Sequence, residues 1–216
     1  MLEAIYRWLR QRPVLDDSRW VVLDVESSGL DPRRDRLLAV AAVAVRVQAA
    51  RPSIDLGDSF EIVLQQATSA AAPDKTNILL HGIGVGAQRA GLTPRTALLA
   101  MAEFVGASPL IAFHAAFDRA LIDRAFRAEL GRVLPNAWLD LEPLAAVLHP
   151  AVDAHSLDEW MAQFGVTCAA RHQAAADTLA TAELLLKLWP ALVSQVPHPG
   201  FRAAASLAAQ RRWVQG

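Results

Sequence analysis

From Leu37 to Val45 every residue is apolar, and the run is Leu-Leu-Ala-Val-Ala-Ala-Val-Ala-Val. It is too short to cross a bilayer. Its length and apolarity predict a strand over Leu37–Val47 that is buried on both faces. Two further strands are read beside it, over Trp20–Glu26 and Asp58–Leu64. The turns between the three are short, so an antiparallel meander is expected. Downstream, strands and helices alternate. Pro109–Phe113 reads as a strand and Ala116–Leu130 as a helix with Gly131 past its end. Ala137–Leu141 reads as one more strand. This order predicts an α/β fold, a central mixed five-stranded sheet flanked by helices.

Helix signals punctuate the chain. Residues 2–12 are expected to form a short helix ended by Pro13. Gln65–Lys75 reads as an alanine-rich loop and Asn77–Ile83 as a short helical turn. Thr93-Pro94 pairs an N-cap with proline at the first helical position, and that helix runs to Val105 before Gly106. Ser156-Leu157-Asp158-Glu159 is a capping box opening a helix that stops near Gly165. Ala174–Leu188 is helical, with Pro190 expected to close it. Residues 201–214 form a last helix, which is expected to pack on its own domain. The resulting division is an N-terminal helical extension over 1–18, a main domain over 19–190 and a C-terminal helical tail over 191–216.

At 216 residues, 53% of them hydrophobic, the chain is long enough to bury a sizeable core. Its first residues carry charges and no long apolar core, so no signal peptide and no membrane association are expected. Cys168 is the only cysteine. That suits a cytoplasmic setting. The net charge of −1 argues against a broad grip on duplex phosphates. Any attraction to nucleic acid has to be local or metal-mediated.

The first strand ends in Asp24-Val25-Glu26-Ser27-Ser28-Gly29. A strand repeats every two residues, so Asp24 and Glu26 share a face. Paired carboxylates are hard-cation ligands. Alone, the pair equally describes two acids in water at a strand end. Asp118 and Asp177 each fall in the first turn of a helix, where the helix dipole by itself stabilises an acid. Alone, His172 equally describes a surface or capping residue. Together, four such acids would need cations, and two divalent ions about 3.5–4 Å apart suit in-line displacement at phosphorus. His172, close by in sequence, has the ring to take a proton from water near neutral pH.

With these residues in view, the sequence resembles the DEDDh 3′–5′ exonucleases, the DnaQ-like proofreading family on the ribonuclease H-like fold. Asp24-Val25-Glu26-Ser27-Ser28-Gly29-Leu30-Asp31-Pro32 is similar to the family's D-x-E-T-T-G-L-D-P. His114-Ala115-Ala116-Phe117-Asp118 is similar to H-N-A-x-F-D, and the segment from His172 to Thr181 to H-x-A-x-x-D-A-x-x-T. Leu80-His81-Gly82-Ile83 resembles I-H-G-I. The resemblance spans residues 19–190.

It implies that Asp24, Glu26, Asp118 and Asp177 bind two Mg²⁺ or Mn²⁺ ions, with Asp24 bridging them. His172 would be the general base. A sister group has tyrosine four residues before the last aspartate, where this chain has Gln173. Ser27, Leu30, Leu80, His81 and Phe117 would line the pocket for the terminal nucleotide. Ser27-Ser28 replaces two threonines and keeps the hydroxyls. Ala115 replaces an asparagine and removes a side-chain hydrogen bond.

The implied activity is release of 5′-mononucleotides from single-stranded 3′ ends, of DNA in the first reading. The alternatives are an oligoribonuclease-like enzyme on short RNA and a non-catalytic nucleic-acid-binding or polymerase-associated module. A DNA polymerase subunit or a second copy of the chain are the protein partners that follow. Among other polar residues, Arg119, Arg124, Arg127 and Arg132 read as a solvated helix face, and Arg171 as a phosphate contact. Trp138, Trp160 and Trp189 read as core.

Overall fold

The computed structural model describes residues 14–48, 51–67 and 75–214. The helix expected over 2–12 and most of the alanine-rich loop lie outside the described residues.

A five-stranded sheet has the order β3-β2-β1-β4-β5. Strands β1 (Arg19–Ser27), β2 (Leu37–Gln48) and β3 (Arg51–Val63) form the expected antiparallel meander. The short strands β4 (Leu110–Ala112) and β5 (Trp138–Asp140) join in parallel through Val21↔Leu110 and Leu110↔Trp138. Every residue from Leu37 to Val45 is buried, as a strand covered on both faces requires. β3 starts earlier than expected because Pro52 and Gly57 break its apolar pattern. Pro52 is tolerated on an edge strand. The register slips between Val43 and Ala44, which pair with Ser59 and Asp55. The bulge is secured by Arg19, whose guanidinium meets Asp58 at 2.7 Å.

Eight helices are described: α1 (Lys75–His81), α2 (Val85–Ala90), α3 (Pro94–Val105), α4 (Ala115–Leu130), α5 (Leu141–Leu148), α6 (Leu157–Phe164), α7 (Ala174–Gln195) and α8 (Phe201–Val214). The cap signals behave as read. Thr93 caps α3, the reciprocal capping box at Ser156 and Glu159 opens α6, and Gly131 and Gly165 end α4 and α6 in the left-handed conformation. None of the described helices is long and apolar enough to cross a membrane.

Three readings are corrected. Pro190 does not close α7, which continues to Gln195. The proline removes one backbone donor, but Leu188, Trp189 and Leu192 around it are buried and hold the helix to the sheet. α5 replaces a segment left without structure. Asp140 caps it, accepting from the Glu142 N–H at 3.2 Å, and Pro143 falls in its first turn, where it is tolerated. α2 is a further helix that the sequence reading missed.

The sheet separates two apolar layers. Even-numbered β1 residues, Trp20 and Val22, pack with α5–α8. Odd-numbered ones, Val21, Leu23 and Val25, pack with α3 and α4. Asp24 and Glu26 continue the even row where β1 runs out of core, so they face the α7 side.

Candidate active site

A cleft of about 410 Å³ opens at this end of β1. Asp24 and Glu26 lie on one wall, and Asp118 and Asp177 enter from the first turns of α4 and α7. His172 stands just before α7, exposed, with Arg171 beside it. α7 is pinned to the sheet beside the cleft by Thr178, whose hydroxyl donates to the buried Ala41 carbonyl at 3.2 Å. The five residues singled out for metal and base chemistry therefore share one cavity.

The carboxylates are under electrostatic stress. Burial is the largest cause and pushes the Asp24 carboxyl well up, with Asp118, Glu26 and Asp177 adding repulsion. Burial raises Glu26 to about 8, with Asp177 reinforcing it and the Ala174 N–H at the start of α7 opposing it. Burial also raises Asp118 to about 7 against the backbone N–H groups of Asp118 and Val25, and Asp140 adds to the rise. Arg171 is the local counter-charge. Its guanidinium contacts Asp177 and donates to Asp158 at 2.6 Å. Asp177 is further held by the His172 N–H at 3.0 Å and the Cys168 thiol at 3.3 Å.

Four carboxylates are a donor set for a hard divalent cation, and their mutual repulsion is what such an ion relieves. The donor chemistry fits. As the side chains stand, no group of three or more His, Cys, Asp or Glu among the described residues is arranged to hold an ion. Arg171 bridges Asp177 to Asp158 instead.

Two backbone outliers mark the site. Among the described residues, His114 and His172 alone combine a positive φ, 59° and 61°, with a side chain other than glycine's. Such conformations cost about 1–3 kcal/mol each and gather at functional sites. At His172 the twist aims its N–H at Asp177. At His114 the N–H donates to Asp140 at 2.9 Å, which fixes the turn from β4 into α4.

Residues 21–185 match the RNase T family of exonucleases. The chain belongs to that family. It is 32% identical over 181 residues to the DNA polymerase III subunit epsilon-like protein of Rhodobacter capsulatus, covering 82% of this chain and 25% of the relative. It is 28% identical over 176 residues to the PolC-type DNA polymerase III of Bacillus subtilis, covering 81% of this chain and 12% of that one. The chain thus spans a quarter or less of these relatives. Among solved structures, exonuclease I superposes with a TM-score of 0.67 at 17% identity, over 82% of this chain and 44% of that one. The zinc-bound complex of Escherichia coli exonuclease I with single-stranded DNA gives 0.66 at 18%, over 83% and 43%. These likenesses make the sheet and its helices a ribonuclease H-like fold.

Within this exonuclease domain the expected nucleotide pocket is only partly assembled. Leu30 and Phe117 line the cleft, and Leu30 is 91% exposed. The loop carrying Leu30 folds around Asp35, which accepts from the Ser28 hydroxyl at 3.0 Å and the Asp31 N–H at 2.8 Å. A Cβ on Gly29 would meet the Asp35 carboxylate at 2.5 Å, so a larger residue there would have to push that carboxylate off its loop partners. Ser27 turns its hydroxyl to the Gly29 carbonyl, and its own carbonyl accepts from Asn77 of α1 at 2.7 Å. Leu80 and His81 belong to α1 and do not line the cleft. Leu80 is about half exposed, whereas His81 is buried and its Nδ1 accepts from the Ile83 N–H at 2.9 Å. Phe113, His114, Ser156 and Leu157 line the cleft without having been assigned to it. Ser156 read only as a cap, and nothing in its sequence context shows that α6 starts beside the acids.

The raised carboxyls give a pH signature. Asp118 and Glu26 titrate near 3.8 and 4.5 in an unfolded chain and near 7 and 8 here. Between those limits the native state binds more protons than the unfolded state, so stability falls as pH rises. Melting in EDTA is expected at a lower temperature at about pH 8 than at about pH 5, and Mn²⁺ should restore much of the loss at about pH 8. A flat profile in EDTA would show that these carboxyls are not stressed.

Proposed function

We propose that this chain is a metal-dependent 3′–5′ exonuclease that releases 5′-mononucleotides from single-stranded ends, with DNA as substrate. The observation that carries the reading is the single cleft holding Asp24, Glu26, Asp118, Asp177 and His172. Polymerase-associated relatives and the exonuclease I complex with single-stranded DNA support the choice of substrate.

Asp24, Glu26, Asp118 and Asp177 would hold Mg²⁺ or Mn²⁺. When bound, such ions lower the pKa of water and neutralise charge gathering on the phosphate oxygens. His172 is exposed to the cleft and takes the proton of the attacking water. Water adds at phosphorus and the bond from phosphorus to the 3′ oxygen breaks; the phosphate leaves on the 5′-mononucleotide, and the 3′ oxygen takes a proton from solvent to leave the shortened strand with a 3′-hydroxyl. Arg171, which lines the cleft beside Asp177, would be the guanidinium available to the scissile phosphate. Phe117 and Leu30 offer apolar surface to the terminal base or sugar without reading sequence.

The test uses the full chain with a 5′-labelled single-stranded DNA, its RNA counterpart and Mn²⁺. The expected result is a ladder shortened from the 3′ end, faster on DNA and abolished by EDTA. Tight strand binding with no cleavage would identify a binding module instead. A preference for short RNA would move the substrate to oligoribonucleotides.

A further inference from the structure

A second groove, about 650 Å³ in volume, lies against the cleft and carries a concentration of positive charge that the overall balance hides. Arg33 lines it from the loop after β1, and Arg119, Arg124 and Arg127 from α4. Four guanidiniums face two carboxylates, those of Asp123 and Asp140. Asp123 stands 3.8 Å from Arg119 and 4.0 Å from Arg127, so one acid is shared by two arginines. Asp140 is committed to the backbone N–H groups of His114 and Glu142. Arg33 and Arg124 have no ion pair among the described residues. The face expected to be merely solvated is therefore half of a basic trough.

Two segments wall both cavities. Leu30 borders the cleft, and Pro32 and Arg33, two and three residues on, border the groove. On the other side Phe117 and Asp118 face the cleft, while Ala116, Ala120 and Arg124 run along the groove. Ala116 and Ala120 are exposed and small, so the floor stays open between the arginines. At 1.5 Å per residue, Ala116 to Arg127 spans about 16 Å, which is longer than one nucleotide.

The geometry points to this groove as the track for the phosphate backbone of the strand upstream of its 3′ end, gripped by Arg33, Arg119, Arg124 and Arg127. The inference rests on the reading of the cleft as a 3′-end site. Guanidiniums pair with phosphates without reading bases, so the track is sequence-independent. It also supplies the local attraction that a chain of net charge −1 needs. The substrate class it selects is a single strand of several nucleotides rather than a dinucleotide.

The experiment compares the parent with Arg33→Glu/Arg124→Glu and with the milder Arg33→Gln/Arg124→Gln. Anisotropy of a labelled 12-nucleotide oligothymidylate in EDTA, titrated with NaCl, reads binding without cleavage. Loss of two phosphate contacts should weaken binding at low salt by about tenfold or more and flatten the log–log salt slope by about 1.4. In Mn²⁺, the ratio of kcat/KM on the 12-mer to that on a dinucleotide should fall by a similar factor. If both variants bind with the parent's affinity and slope, or lose the 12-mer and the dinucleotide equally, the track is overturned. A parent that cleaves normally beside such variants leaves the exonuclease reading standing. A parent that binds through these arginines and cleaves nothing overturns the exonuclease reading and, with it, the groove's place upstream of a 3′ end, and identifies it as a strand-binding surface only.

Discussion

His172→Ala is expected to lower kcat for 3′-end hydrolysis by about 10²–10⁴, the usual loss for a missing general base, with Mn²⁺ affinity changed far less. The ring is exposed to a cleft that contains four carboxylates, and its own backbone N–H is tied to Asp177 at 3.0 Å. The ring is thus open to the cleft while its main chain is fixed. The φ of 61° makes alanine an imperfect probe, because a Cβ without a polar group resists that conformation. His172→Asn tolerates the left-handed region and removes the base. Equal losses in both variants identify proton transfer. A loss confined to alanine identifies backbone geometry, and full activity in both removes His172 from the chemistry. Asp177→Asn should fail differently, by weakening Mn²⁺ binding, because it neutralises one of the four carboxylates proposed to hold the ion and releases Arg171. Single-turnover rates beside calorimetric Mn²⁺ titration separate the two kinds of failure.

The convergence of these acids and His172 on one cleft was legible because they sit in short, ordered segments. Asp24 and Glu26 share a face by the period of a strand, and Asp118 and Asp177 fall in first turns that helix signals announce. The meander and the buried β2 followed from Leu37–Val45 for the same reason, since local pattern and tertiary environment agree. What the sequence hid depends on distant partners. Arg171 was visible as a cation near His172, but its bridge between Asp158 and Asp177 requires α6 and α7 side by side. Trp138, read as core, does pack on the α3–α4 layer, but it is only half-buried and also lines the arginine groove, because β5 is an edge strand. The groove joins a loop after β1 to a helix more than eighty residues later. No spacing rule reaches that far. Pro190 misled because burial on the α7 face outweighs one lost backbone hydrogen bond.

Trp20→Ala is expected to destabilise the fold by about 3–5 kcal/mol, the range for emptying a large aromatic site in a core. Trp20 is fully buried, with edge contacts to Trp189 at 5.4 Å and to Phe201 at 5.8 Å between ring centroids. Its indole N–H donates to Asp17 Oδ1 at 2.9 Å, and the same oxygen accepts from the Phe201 N–H at 2.8 Å. One tryptophan therefore joins β1, α7 and the first turn of α8. The family match ends at residue 185, so α8 lies beyond it, but Phe201, Ala204 and Ala208 are buried in the same layer as Trp20. Arg211 also pairs with Glu142 of α5. Removing the indole should loosen α8 first, which hydrogen exchange would detect as lost protection over 201–211 before global unfolding. Trp20→Phe keeps most of the apolar area and loses only the N–H to Asp17, so it should cost less than the alanine variant. Urea titration gives both values. A Trp20→Ala loss under about 1 kcal/mol, far below the core range, would mean that α8 and the sheet are not coupled through this residue.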